Sequence, residues 1–118
     1  MGEPTKRQIG DRGEEQAVKF LESNGLSVIE RNYHSPHGEI DIIAVRNNWY
    51  HIIEVKARKN AEHGYPEEFV DGKKLNHVAE TALYYFQEND LDVPWQIDVI
   101  AVLGSKPEIL WIENVILD

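Results

Sequence analysis

Hydrophobic and polar positions change period several times along the chain. Between about Lys6 and Ser23, small and apolar residues recur at helical spacing, with Gly10, Ala17, Val18 and Leu21 on one stripe that also carries Glu14. Asn24-Gly25 follows, a pair that commonly stops a helix. Leu26 to Asn32 then reads as a strand, and His34-Ser35-Pro36-His37-Gly38 as a loop. Two apolar runs come next, Glu39 to Val45 and Trp49 to Ala57, parted by Arg46-Asn47-Asn48. Asparagine tolerates the left-handed backbone of a tight hairpin turn, so this is the clearest hairpin signal in the chain. A polar stretch through Pro66 leads to a second helix, about Asp71 to Gln87, with Leu75, Val78, Ala79, Ala82 and Phe86 on its buried stripe. Trp95 to Leu103 and Glu108 to Val115 complete the pattern as strands.

The resulting order is α-β-β-β-α-β-β. A strand, a helical crossover and another strand require the third and fourth strands to run parallel with a right-handed connection. The expectation is therefore an α/β fold with a mixed sheet of four or five strands, covered by helices. With 118 residues, no internal repeat and no Pro-, Gly- or Ser-rich linker, the whole chain is expected to form one domain.

The hairpin makes a sharper statement. With Asn47-Asn48 as a two-residue turn, Val45 opposes Tyr50, Ile43 opposes Ile52, Asp41 opposes Glu54 and Glu39 opposes Lys56. Opposed residues share a face. One face then carries Ile43, Val45, Tyr50 and Ile52 near the turn and Glu39, Asp41, Glu54 and Lys56 at the far end. The other face carries Ile40, Ile42, Ala44, Ile53 and Val55. Strands this apolar on both faces are covered on both sides, which puts four charges at the rim of a core, where unpaired charge is costly. Hydrated Mg²⁺ or Mn²⁺ would compensate the opposed carboxylates, because hard cations take carboxylate oxygens and retain waters. Lys56 could then orient or deprotonate a water, or stabilise charge developing on a phosphate. Glu14, on the inward stripe of the first helix, is either a further carboxylate for the ion or a snorkelling side chain. The plainer reading, a strand-end ion pair between Glu54 and Lys56 with Glu39 and Asp41 solvated, stays open beside it.

Composition narrows the field further. Cysteine is absent, so disulfide scaffolds, thiolate metal sites and cysteine catalysis are excluded. No signal-peptide core or apolar run of membrane-span length occurs, which leads us to expect a soluble cytoplasmic protein without a membrane partner. A net charge of -9 argues against binding nucleic acid by bulk attraction, although gathered carboxylates can hold a cation that reverses the local field. Arg58, Lys59, Lys73 and Lys74, with Lys56, are candidates for a local phosphate-binding strip, against the alternative of a solvated helix start. His34, His37 and His51 have no further cluster that completes a zinc site. Trp49, Trp95 and Trp111 read as packing residues, and Asp98 as a support for the site or the partner of a lysine.

Gly38-Glu39-Ile40-Asp41-Ile42-Ile43-Ala44, followed by Ile53-Glu54-Val55-Lys56-Ala57-Arg58, resembles the YraN family (UPF0102) of small bacterial proteins. That family belongs to the PD-(D/E)xK nuclease-like superfamily and is similar to archaeal Holliday-junction resolvases. The resemblance covers nearly the whole chain, taking in Gly10-x-x-Gly13-Glu14, Lys73 and Asp98-Val99-Ile100. It implies a restriction-endonuclease-like αβββαβ core. It further implies a Mg²⁺- or Mn²⁺-dependent DNA endonuclease that leaves a 5′-phosphate, with branched or junction DNA among the substrates the resemblance suggests. In it Asp41 and Glu54 hold the metal with Glu14, Lys56 is the catalytic lysine and Glu39 an accessory acid. Resolvases act as symmetric dimers, so a homodimer is implied as well. Where the family commonly has Arg before Ile97-Asp98 this chain has Gln96, one phosphate contact fewer. Two alternatives remain: a nuclease fold that binds nucleic acid without appreciable turnover, and a protein-interaction domain with a structural cation.

Overall fold

The computed structural model describes residues 2–59, 71–104 and 108–115. Its elements are α1 (Lys6–Ser23), β1 (Ser27–Ser35), β2 (Gly38–Arg46), β3 (Trp49–Arg58), α2 (Gly72–Glu88), β4 (Trp95–Leu103) and β5 (Glu108–Ile112). Five strands form one mixed sheet in the order β1-β2-β3-β4-β5. Only the β3–β4 pair is parallel, as the intervening helix requires. The α/β architecture is the expected one, and the αβββαβ order is followed by one more antiparallel strand. The polar stretch through Pro66 lies outside the described residues.

Helix α1 starts at a capping box, in which Thr5 Oγ1 accepts from the Gln8 N–H and Gln8 Oε1 from the Thr5 N–H. It ends before Gly25, whose φ of +82° few other residues adopt at low cost. Its inward residues Gly13, Ala17 and Leu21 pack, with Leu26, Ile42, Ala44, Ile53, Ile100 and Val102, on one face of the sheet. Gly13 is required there, because a β-carbon on it would overlap that of Ala57 on β3. On the other face α2 sets Leu75, Val78, Ala82, Tyr85 and Phe86 against Ile40, Ile43, Ile52 and Ile97. The sheet is thus covered on both sides, as its apolar strands demand.

The Asn47-Asn48 turn has both residues at positive φ, +53° and +62°, and the ladder pairs Val45 with Tyr50, Ile43 with Ile52 and Ile42 with Ile53. This is the expected register. Three expectations need correction. First, β1 runs on to Ser35 and pairs directly with β2 from Gly38, so Pro36-His37 is a tight turn rather than part of a longer loop. Second, β5 stops at Ile112, and Asn114 takes a left-handed conformation with φ of +54°. Third, Ile40 packs with Ile43 on the α2 side instead of with Ile42 on the α1 side. The alternation of β2 breaks at Asp41, and Asn32, between the Arg31–Ile42 and Tyr33–Ile40 rows of the neighbouring strand, has φ of +52°.

Candidate metal and phosphate site

The break at Asp41 builds the site. The β2–β3 ladder ends at Ile42–Ile53, one row before the expected Asp41–Glu54 pair. Beyond it the Asp41 carboxylate takes the place of a strand partner, with Oδ2 accepting from the Val55 N–H at 2.7 Å. The strands separate, and the opening is a hollow of about 520 Å³ lined by Glu39, Asp41, Glu54, Lys56 and Lys74 together with Arg58 and Lys59. Three expected groups, Asp41, Glu54 and Lys56, therefore share one concavity. Glu39 lines it too, at an exposed rim where Oε2 lies 3.4 Å from His34 Nδ1.

Glu54 is buried and bound by two ammonium groups, Lys74 Nζ at 2.7 Å and Lys56 Nζ at 3.4 Å. Burial raises the Asp41 pKa to about 6, the Glu54 carboxylate adds to the rise, and the Val55 N–H opposes it. Lys56 is held below the usual lysine range, first by burial and then by the adjoining Lys74, while Glu54 pulls the other way. Lys74 loses by burial but gains more from Glu54, so its pKa is raised. Together the pair forms a cationic wall facing two carboxylates.

The sequence pattern groups Lys74 with Lys73 at the helix start, in a strip beside the acidic site where both run against the helix dipole; the structure places Lys74 in the hollow itself. The amides of Lys73 and Lys74 in fact donate to the N-cap carboxylate of Asp71 at 2.9 and 3.4 Å, while the Lys74 side chain turns inward to Glu54. Lys73 does not line the hollow. A helical spacing of one position, relative to buried Leu75, is what separates them.

Glu14 stands next to the site rather than on its wall. Its Oε1 accepts from Asn32 Nδ2 at 3.0 Å and pairs with Arg31 Nη2 at 3.3 Å, while its charge still raises Asp41. Among the described residues no three His, Asp or Glu side chains gather closely enough to hold a metal by themselves. Asp41 and Glu54 nevertheless suit a hydrated Mg²⁺ or Mn²⁺, which binds through one or two carboxylates and completes its shell with water and phosphate oxygens. The Lys74 ammonium, 2.7 Å from Glu54, already marks a place where this pair attracts positive charge.

Asp98 and Gln96 serve a different region. Fully buried Asp98 accepts from Gln96 Nε2 at 2.8 Å, Trp111 Nε1 at 3.0 Å and the Asn114 N–H at 2.8 Å, with His51 Nδ1 at 2.7 Å. Burial would raise its pKa, but these donors, His51 foremost, hold it below the ordinary value. Its shortest hydrogen-bond contact is thus with a histidine, and not with a lysine. Gln96 aligns with His51, five rows from the Lys56–Ala101 row, which is roughly 16 Å along the strands. Gln96 is therefore an internal hydrogen-bond donor, too far away to stand in for a phosphate contact at Lys56. The three histidines diverge: His34 pairs with Glu39, His37 lies 3.6 Å from Glu80, and His51 is committed to Asp98. Trp95 packs on Phe86 with ring centroids 5.4 Å apart, whereas Trp49 is exposed beside the hairpin turn.

An antiparallel hairpin that parts to expose two acids and a lysine, backed by helices on both faces, defines the candidate site, and the stretch that builds it falls within a known family of sequences. The family model described as "Uncharacterised protein family UPF0102" matches residues 13–102. A UPF0102 protein of Cytophaga hutchinsonii is 44% identical over 99 residues, covering 84% of this chain and 88% of its own. One of Aliarcobacter butzleri is 37% identical over 92% of this chain and 96% of its own. Another, of a Sulfurihydrogenibium species, is 40% identical, with 92% and 94% covered. The chain belongs to the UPF0102 family. No described helix is long and apolar enough to cross a membrane.

Proposed function

We propose that this protein is a divalent-metal-dependent phosphodiesterase that acts on DNA. The observation that carries the reading is the convergence of Asp41, Glu54 and Lys56 on one hollow whose surroundings are cationic although the chain is acidic. Among the described residues, six Lys and Arg side chains but three Asp and Glu line this hollow and the one adjoining it. Net charge had argued against nucleic acid; its distribution argues for it.

Asp41 and Glu54 would hold Mg²⁺ or Mn²⁺, which when bound supplies positive charge to the scissile phosphate and its attacking water. Lys56, whose ammonium lies 3.4 Å from Glu54, is suited to stabilise the charge that develops on the phosphate, and the attacking water gives up its proton to solvent. The water oxygen bonds to phosphorus as the P–O3′ bond breaks, leaving a 5′-phosphate and a 3′-hydroxyl that takes its proton from solvent. Lys74 fixes the Glu54 carboxylate and, freed from it, faces the phosphate. Arg58 and Lys59 flank the strand.

A second reading, a nucleic-acid-binding protein of the same fold with little turnover, is favoured by one observation. Glu54 is already neutralised by Lys74 and Lys56, which a metal must displace. The deciding experiment compares wild type, Asp41→Ala and Lys56→Ala on linear, flapped and four-way DNA with Mg²⁺, Mn²⁺ or Ca²⁺. Cleavage by the wild type that disappears in both variants is the expected result. Equal residual cleavage in all three overturns the proposal. Binding in Ca²⁺ without cleavage in Mg²⁺ supports the second reading, and no binding at low salt points to a protein-interaction domain.

A further inference from the structure

Beside the acid hollow lies a second one, of about 350 Å³, between the first half of α1 and the ends of β3 and β4. The two share Pro4, Ile9, Ala57, Arg58 and Lys59, so they form one continuous trough. Their chemistry differs. The second has an apolar floor of Ile9, Ala57 and Val102, with the half-buried Gln16 at its side and Arg12, Arg58 and Lys59 around it. Among the described residues no Asp or Glu lines it, and the exposed Glu3, 2.7 Å from Lys59 Nζ, is the acid that a phosphate would displace there. A site for phosphate alone has no use for such a floor, and a purely apolar ligand has no use for three cations. A nucleotide needs both: bases are held between apolar or guanidinium surfaces and read at their edges by polar side chains, while the flanking phosphates need cations.

We propose that this second hollow is a nucleobase subsite that receives one unpaired base of the substrate strand, next to the phosphate held at Lys56. Arg58 and Lys59, common to both hollows, carry the phosphate between them, and the Gln16 carboxamide meets the edge of the base. The inference rests on reading the acid hollow as the phosphate centre, and it specifies the substrate class. A cavity of this volume accommodates one nucleotide and not a stacked pair. Suitable substrates are therefore strands that present a base out of the helix at small cost, such as single strands, flaps and junctions.

Isotope-labelled protein in EDTA, titrated with 2′-deoxyadenosine 5′-monophosphate and separately with 2-deoxyribose 5-phosphate, tests this by NMR. The nucleotide should shift the backbone amides of Gly13 and Gly104 and bind about tenfold tighter than the sugar phosphate, the effect of one stacked base. Arg12→Glu should weaken nucleotide binding severalfold, and Lys56→Ala should keep the preference for the base. Equal binding of the two compounds, or no response at Gly13 and Gly104, overturns the subsite. Mg²⁺-dependent cleavage of single-stranded DNA, assayed on the same preparation, separates the two ideas. Cleavage with equal binding removes the subsite alone; base-dependent binding without cleavage supports the subsite and counts against hydrolysis.

Discussion

Asp41 occupies the point where β2 leaves β3, and its environment explains its chemistry. One oxygen replaces a missing strand partner, while burial and the neighbouring Glu54 disfavour its charge, so it titrates near 6 rather than 3.8. Between those two pH values the folded chain binds more protons than the unfolded one. Stability is therefore fully present below about 4 and declines as pH rises through about 6. In EDTA, urea unfolding should show this decline in the wild type and not in Asp41→Asn, with a difference near pH 7 on the order of 2 kcal/mol. Parallel profiles for the two proteins would contradict the assignment. That Asp41, Glu54 and Lys56 lie near one another was legible in the sequence because the two-residue turn fixes the register through Ile42–Ile53, although the expected Asp41–Glu54 pair does not form. The break at Asp41 was not, since it coincides with a left-handed conformation at Asn32 of the neighbouring strand that no local pattern announces.

At the scale of elements, periodicity sufficed wherever one face is buried. Both boundaries of α1 and of β4 agree with the pattern of the chain, and the Asn47-Asn48 turn fixed the register through Ile42–Ile53. It misled at β1, where Pro36 reads as a loop residue but sits in a tight turn between paired strands. Two contacts between elements carry testable weight. Gly13→Ala should push α1 from Ala57 and cost about 1–3 kcal/mol, as overpacking does, with much of it recovered by adding Ala57→Gly. Thermal unfolding of the double-mutant cycle reads this directly; an unchanged single variant would contradict the close approach. Asp98→Ala should leave His51, Trp111 and the Asn114 N–H without their acceptor. The expected loss is about 1–3 kcal/mol, the range for leaving buried hydrogen-bonding groups unsatisfied. Faster hydrogen exchange at Asn114 should accompany it, and unaltered exchange there would count against the network. No sequence signal reveals this network, because it joins β3, β4 and the segment after β5 only once the parallel register is set.

At the scale of the whole molecule, charge is informative only when it is placed in space. The net value of -9 describes a surface that repels nucleic acid, yet among the described residues six Lys and Arg side chains surround one trough. That trough depends on α1, the parted hairpin and the start of α2 meeting around the same end of β3. Lys74 belongs to it because α2 lies across the face that bears Glu54, a tertiary fact that the pair Lys73-Lys74 does not announce. The proposed binding of a divalent cation by Asp41 and Glu54 together is tested most directly by Mn²⁺ titration at low ionic strength, followed by electron paramagnetic resonance. The expected result is one Mn²⁺ per chain, with Asp41→Asn and Glu54→Gln each weakening binding at least about tenfold, the scale found even for groups that only support a ligand. Equal Mn²⁺ affinity in the wild type and both variants would contradict it.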